Sequence, residues 1–186
     1  MNIKKNLSSA QAFYKNNDLE SAKKICESLL RDDKNNLSSI ELLIDINIKS
    51  ENYNEALKFL KKIININNKN YLLFFKKAFI LFRLNQHKEA LQNLDLSINL
   101  NSNYEASYNL KAIILSNIDK NKDAIENWTK AININKDYAE GYFNLANFYN
   151  SKNNFELSLE NYNKILKINN NNFLALANRA DLFLKH

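Results

Sequence analysis

The sequence contains almost none of the residues that interrupt helices, since 186 residues include no proline and a single glycine. Proline ends or kinks a helix and glycine weakens one, whereas tight hairpin turns and phosphate-binding loops depend on glycine. These absences exclude most β-hairpin architectures and glycine-rich nucleotide loops. They favour a chain that is almost entirely α-helical.

Residues that carry chemistry are equally scarce. Cys26 is the only cysteine and cannot form an internal disulfide, and neither His87 nor His186 lies at a nucleophile-to-base spacing from it. The sequence has no HExxH, CxxC or calcium-loop pattern, and its acidic residues are scattered. We therefore expect no enzyme activity, no catalytic residue, no metal site and no cofactor. Cys26 is interpreted as a core residue and His87 as a turn residue.

The N-terminal residues lack the apolar stretch of a signal peptide, and no window approaches the length of apolar chain that spans a bilayer. We therefore predict a cytoplasmic protein without a membrane span. The net charge of +6 is spread along the chain and is not collected in one basic stripe. Because a phosphate track needs such a stripe, nucleic-acid binding is not predicted.

Asparagine accounts for much of the polarity, with 36 residues. Hydrophobic residues still make up 45% of the chain and aromatic residues 11%, enough for a packed core. The asparagines fall mostly in expected turns and on exposed helix faces. We interpret their number as a compositional bias rather than a special function.

Small residues recur at intervals of 34 in two series. The first is interrupted only by Ile44 and consists of Ala10, Ala78, Ala112, Ala146 and Ala180. The second series lies twelve residues later and consists of Ala22, Ala56, Ala90, Ala124 and Ser158. A fixed period of this length is typical of a solenoid built from one supersecondary unit. The sequence is therefore an array of repeats.

Residues 139–172 show the secondary structure of one repeat most clearly. A first apolar stripe with helical spacing ends near Lys152 and consists of Tyr142, Leu145, Ala146 and Tyr149. A second stripe is closed by the asparagine run 169–172 and consists of Leu159, Tyr162, Ile165 and Leu166. The pattern predicts a helical hairpin.

The turn inside each hairpin should place one residue in the left-handed region of backbone space, where asparagine is the best substitute for glycine. The residues at this point are Asn17, Glu51, Asn85, Asp119 and Asn153. The next residue is a good helix N-cap in three hairpins, as Asp18, Asn52 and Asn154.

These residues resemble the tetratricopeptide repeat (TPR), a helix-turn-helix module of about 34 residues. The family has small residues at positions 8 and 20, which let helix axes approach to about 8 Å, and a large residue at position 24. Position 24 here holds Cys26, Leu60, Leu94, Trp128 and Tyr162. The resemblance implies an all-α, right-handed α-solenoid that forms a single domain over residues 1–186. It would contain an unpaired helix at 173–186 after hairpins at 3–36, 37–70, 71–104, 105–138 and 139–172.

The sequence departs from the family pattern at two points. Ile44 replaces a small residue and should open one helix contact slightly, and the usual proline near position 32 is missing, which should loosen the turn between repeats. The last helix carries more apolar residues than a solvent-facing end should have: Phe173, Leu174, Leu176, Leu182, Phe183 and Leu184. We expect either that the natural chain continues beyond His186 or that this helix mediates self-association.

In this family the concave face is lined by positions 2, 5, 6, 9, 12 and 13 of the first helices, called the groove positions below. The resemblance therefore implies a peptide-binding groove with the candidate residues Leu72, Phe75, Phe79, Phe82, Asn109, Ile113, Phe143, Asn144, Asn147 and Asn178. Phe75, Phe79 and Phe82 of the hairpin at 71–104 form a stripe separate from the predicted core stripe. They form either an exposed binding patch or a surface covered by another part of the protein.

Two groove styles of the family can be compared with these residues. A carboxylate clamp is not matched, because Glu41 and Asp45 occupy positions that would repel a terminal carboxylate. An asparagine ladder at position 6 is matched only by Asn144 and Asn178. We therefore predict a non-enzymatic scaffold that binds a peptide or protein segment with apolar anchors. The alternative is the substrate-recognition arm of a larger transferase, similar to O-linked N-acetylglucosamine transferases, with its catalytic domain beyond residue 186.

Overall fold

The computed structural model of the chain describes residues 3–185. These residues form eleven helices and no strand, and about 80% of the chain is helical. The helices are α1 (Ile3–Lys15), α2 (Leu19–Asp32), α3 (Leu37–Lys49), α4 (Tyr53–Ile66), α5 (Tyr71–Arg83), α6 (His87–Leu100), α7 (Glu105–Asn117), α8 (Asn121–Ile134), α9 (Ala139–Ser151), α10 (Phe155–Ile168) and α11 (Phe173–Lys185).

First and second helices alternate with the predicted period. Successive first helices begin 34 residues apart, and successive second helices also begin 34 residues apart. Contacts join α1 to α2, α3 to α4, α7 to α8, and α9 to α10. The predicted all-α repeat fold is therefore confirmed.

The chain divides into two compact units, Met1–Asn93 and Leu94–His186. The boundary falls inside α6. The N-terminal unit has core clusters around Ile40 and Leu43, and the C-terminal unit has one around Tyr162. The single domain over residues 1–186 stays a prediction.

The small residues of both series lie at packed helix contacts. All members of the second series are fully buried, as are Ala10, Ala78, Ala112 and Ala146 of the first. Ile44 is also fully buried, within a core cluster that includes Ala56 and Leu60, so a larger side chain is accommodated in this repeat. Ala180 alone in the first series is exposed, because nothing in the described chain covers that side of α11.

The turns inside the hairpins have the predicted backbone conformation. Within the described residues, positive φ angles occur at Asn17, Glu51, Asn85, Asp119 and Asn153, with values of 56–64°. Each following N–H donates to the carbonyl five residues earlier, as Asn154 N–H does to Tyr149 O at 2.9 Å. This bond defines a Schellman motif and satisfies a helix-end carbonyl. The cap prediction holds for Asp18 and Asn154 but not for Asn52, whose side chain makes no cap bond.

The loops between repeats use asparagine and aspartate where the family uses proline. At position 31 a side-chain oxygen accepts the N–H two residues later, at 3.0 Å in each case, for Asp33, Asn101, Asn135 and Asn169. Such Asx turns fix the loop through hydrogen bonds rather than through a restricted φ angle. At position 34, Asn36, Asn70 or Asn172 caps the next helix through its side chain. Many asparagines therefore have a structural role that the compositional interpretation missed.

Candidate peptide-binding surfaces

Helix α5 carries two apolar stripes in the N-terminal unit. Its core stripe includes Phe74, Ala78 and Leu81, which are buried. The second stripe, called the α5 aromatic row, consists of the half-buried groove residues Leu72, Phe75, Phe79 and Phe82. The two stripes predicted from the sequence are therefore separate in the structure, and the second one is neither fully exposed nor fully covered.

Contacts within the N-terminal unit explain this partial burial. Phe79 packs against the core cluster that contains Ile44 and Leu60, and the Phe82 ring lies 5.8 Å from the His87 ring. His87 was interpreted as a turn residue, but it is the first residue of α6, directly after the turn. The α5 aromatic row is thus anchored by neighbouring side chains while part of each ring remains accessible.

Charged residues beside the α5 aromatic row are paired. Lys76 Nζ lies 2.5 Å from Asp45 Oδ1, and the guanidinium of Arg83 donates to Glu51 Oε1 at 3.0 Å. The same guanidinium lies 5.5 Å from the centre of the Tyr53 ring. The carboxylate of Asp45 is therefore compensated within the unit, which weakens its predicted repulsion of an incoming carboxylate.

Groove residues of the C-terminal unit are joined through their amides. Asn144 Nδ2 donates to Asn109 Oδ1 at 2.9 Å, and Asn109 Nδ2 donates to Glu140 Oε1 at 3.1 Å. The other oxygen of Glu140 accepts the Tyr138 hydroxyl at 3.2 Å. Burial, followed by the charge of Glu140, raises the pKa of Tyr138. The phenol is therefore a neutral donor that holds this carboxylate in place.

Gly141, the only glycine, makes room for that phenol. A Cβ at this position would lie 2.8 Å from Tyr138 Cδ1, closer than real side chains approach. Its φ angle is not left-handed, so the requirement is for space. Sequence reasoning assigned no role to Gly141, Tyr138 or Glu140.

A second amide group in this unit is organised by a core residue. The Tyr162 hydroxyl donates to Asn147 Oδ1, and Asn178 Nδ2 donates to the same oxygen at 3.3 Å and to Tyr162 Oη at 3.2 Å. The two acceptor oxygens lie close together because they are hydrogen-bonded to each other, so one N–H of Asn178 is shared between them. That donor is therefore directed into the protein, unlike the donors of a ladder that binds a peptide backbone.

Apolar groove residues accompany these amides. Ile113 and Phe143 are half-buried, and the Phe143 ring meets the Tyr162 ring edge-on with centroids 6.0 Å apart. Within the C-terminal unit the structure thus connects Asn109 to Asn144 and Asn147 to Asn178. Tyr162 was assigned only to the core, and no feature of the sequence pointed to its second role.

Two observations on the described residues concern the side chains that could support chemistry, one on Cys26 and one on groups that could hold a metal ion. Cys26 is fully buried, and burial raises the pKa of its thiol to about 11, so the thiol is protonated at neutral pH. Among the described residues, no three His, Cys, Asp or Glu side chains form a group that could hold a metal ion. Over the same range, no helix combines the length and apolar character needed to cross a bilayer.

Two family models match parts of the chain. The model described as anaphase-promoting complex, cyclosome, subunit 3 matches residues 15–97, and a tetratricopeptide repeat model matches residues 139–172. The second match coincides with the fifth predicted repeat. No curated protein matches the chain.

Solved structures show the same fold at low sequence identity. The chain is similar to a thermophilic TPR protein of Thermus thermophilus (16% identity, TM-score 0.80), with 98% of this chain and 99% of that one covered. It is also similar to MamA of Desulfovibrio magneticus RS-1 (16% identity, TM-score 0.77), with 92% of this chain and 97% of that one covered. A third similar structure is YrrB, described as a TPR protein with an unusual peptide-binding site (23% identity, TM-score 0.67), with 94% of this chain and 90% of that one covered. These structures show the fold, and the repeat model matched over residues 139–172 supports membership of the tetratricopeptide repeat family.

Proposed function

We propose that this protein is a non-catalytic scaffold that binds a peptide or protein segment at its groove positions. The observation that carries the proposal is the α5 aromatic row. The core stripe of α5 is already complete with Phe74, Ala78 and Leu81. A second row of large apolar side chains that remains half-accessible is typical of a surface that gains stability when a partner covers it.

The contacts of this row suit binding rather than simple packing. Phe79 and Phe82 are held on one side by the core cluster and by His87, so little side-chain freedom remains to be lost when a partner binds. The ion pair between Lys76 and Asp45 supplies polar groups beside the rings. A segment with apolar anchors and a polar backbone would complement both features.

The amide groups of the C-terminal unit support the same kind of function. Asn144 and Asn178 are oriented by bonds to Asn109, Asn147 and Tyr162. Pre-oriented amides can exchange hydrogen bonds with an extended peptide backbone, while Ile113 and Phe143 offer apolar contacts beside them. The description of YrrB as a protein with a peptide-binding site adds a parallel from the same fold.

A random peptide library selected on the immobilised protein would test the proposal. The variants Phe75→Ala and Leu72→Ala should each weaken the selected peptides by about fivefold or more, because each removes an apolar anchor. Phe13→Ala is the matched control, since Phe13 is a 39% exposed phenylalanine outside the groove positions. Circular dichroism of all variants verifies that the helices remain formed.

Two results would contradict the proposal. One is unchanged affinity for both Phe75→Ala and Leu72→Ala at unchanged helicity. The other is an equal loss of affinity for Phe13→Ala, which would mean that the selected peptides recognise exposed rings without regard to position.

A further inference from the structure

The last described helix, α11, leaves one apolar side uncovered. Phe173 is 78% exposed, Phe183 66% and Leu176 38%, and Ala180 is also exposed. By contrast, Ala175 and Leu182 are not exposed, because they are buried in the core cluster that contains Tyr162. Leu182, one of the six apolar residues counted as an excess for a solvent-facing end, is therefore buried, because it packs towards the preceding hairpin.

The uncovered side corresponds to a surface that the other hairpins bury. Positions 4, 8 and 11 lie on one face of a first helix, and in α11 they are Leu176, Ala180 and Phe183. In α3 the same positions are completely or almost completely buried, as Ile40, Ile44 and Asn47. In α7 and α9 they are buried or half-buried, as Tyr108, Ala112, Leu115, Tyr142, Ala146 and Tyr149. Each of these helices contacts the second helix of its own hairpin. We call Leu176, Ala180 and Phe183 the α11 acceptor face.

The second helices of the chain define what such a face accepts. They carry a small residue at position 20, fully buried in all five hairpins. A large apolar residue or cysteine follows four residues later, and a further buried residue three residues after that. The sets are Ala22, Cys26 and Leu29; Ala56, Leu60 and Ile63; Ala90, Leu94 and Ser97; Ala124, Trp128 and Ala131; Ser158, Tyr162 and Ile165. The small residue permits close approach of the two helix axes, and the large one fills the adjacent gap.

We propose that the α11 acceptor face binds an amphipathic helix of a partner protein that carries this pattern, a small residue followed by large apolar residues four and seven positions later. Ala180 lies in the middle of the face, where the other first helices meet the small residue of their partner helix. Leu176 and Phe183 then flank the contact as apolar walls. The interface extends a packing arrangement that the chain already contains, and it is separate from the groove positions.

The experiment uses the complete chain and a labelled peptide with the α10 sequence, Phe155–Ile168, whose pattern residues are Ser158, Tyr162 and Ile165. In the chain this helix packs with Ala146, which occupies position 8 as Ala180 does. Fluorescence anisotropy should show saturable binding of this peptide. Phe183→Ser and Ala180→Leu should each weaken binding by about tenfold, the first by removing apolar contact and the second by blocking close approach. Both residues are exposed, so neither substitution should alter the melting temperature.

Two matched controls define the specificity. Leu174→Ser removes an equally large apolar group that is 60% exposed but lies on the other side of α11, and it should change the affinity by less than about twofold. A peptide with Ser158→Leu should bind about tenfold more weakly, although leucine is a better helix former than serine.

Three outcomes would overturn the proposal. The first is absence of saturable binding, and the second is equal weakening by Leu174→Ser. The third is a mass in sedimentation velocity that rises with concentration, is reduced by Phe183→Ser and is unaffected by the peptide, which would assign the face to a second copy of this chain. Loss of binding at the α5 aromatic row would leave all these measurements unchanged, so the two proposals fail independently.

Discussion

Replacement of Ile44 by alanine separates what the family pattern suggests from what this structure requires. Ile44 occupies a position where the other hairpins have alanine, so the pattern suggests that Ile44→Ala should improve the helix contact. In the structure, however, Ile44 is fully buried in a cluster with Ile40, Ala56 and Leu60. The surrounding side chains are arranged around the larger residue, and we expect the substitution to destabilise the protein.

The expected loss follows from the atoms removed. The change deletes three carbons, which corresponds to about 2.4 kcal/mol of lost burial at about 0.8 kcal/mol each. Incomplete collapse of the site leaves a cavity that adds about 1 kcal/mol. The free energy of unfolding should therefore fall by about 2.5–4 kcal/mol, in the range measured for buried isoleucine-to-alanine substitutions.

Urea unfolding followed by circular dichroism would measure this change, with the slope of the transition monitored because repeat arrays can lose cooperativity. Ile66→Ala is the matched control, since Ile66 lies in the same unit and is 52% exposed. It should cost less than about 1 kcal/mol. An Ile44→Ala variant as stable as the wild type, or more stable, would refute the packing argument.

Two further predictions concern the hairpin turn and the buried thiol. Glu51→Gly should be more stable than Glu51→Ala by about 1 kcal/mol. Both variants lose the ion pair to Arg83, but only glycine adopts the left-handed φ of 56° without steric strain. Equal urea midpoints for the two variants would contradict this prediction. For Cys26, burial raises the folded pKa to about 11, above the ordinary value of about 9, so its stabilising contribution is complete below pH 9 and is lost as the pH rises to about 11. The Cys26→Ala variant should lack this alkaline loss of stability. Curves of unfolding free energy against pH that stay parallel for wild type and variant over this range would contradict the prediction.

The fold could be predicted almost completely because its determinants are local and repeated. The constant repeat period fixes the helix starts, and the near absence of glycine points to asparagine or an acidic residue at each left-handed turn position. The residues at 17, 51, 85, 119 and 153 all adopt the predicted φ. Steric limits on one residue decide such conformations, so the sequence around each turn is sufficient.

The role of asparagine between repeats was missed for a different reason. Composition alone does not separate a solvated amide from one that closes an Asx turn, because both occur in polar loops. The signal was present in the recurrence of Asn101, Asn135 and Asn169 at one position of the repeat. A polar residue that recurs at one repeat position is therefore as informative as the recurring alanines.

The candidate site was less predictable because it depends on contacts between helices. Periodicity places Phe79 on a second stripe of α5, but only the packing against the core cluster determines how much of the ring remains accessible. In the same way, Asn178 matched a ladder position, yet its amide nitrogen donates to Asn147 and Tyr162 within the protein. A helical wheel gives the direction of a side chain and not its partner.

Position 24 connects the fold to the candidate site. All five residues at this position are buried, so Tyr162 occupies the same place in its repeat as Cys26, Leu60 and Trp128 do in theirs. Tyr162 adds a hydroxyl that reaches Asn147 and Asn178, two groove positions on successive first helices. Because its ring is fixed by the core, the orientation of both amides is fixed with it. A repeat can therefore acquire a polar surface feature through one atom added to a residue whose position the packing already determines, without any change in the period that defines the fold.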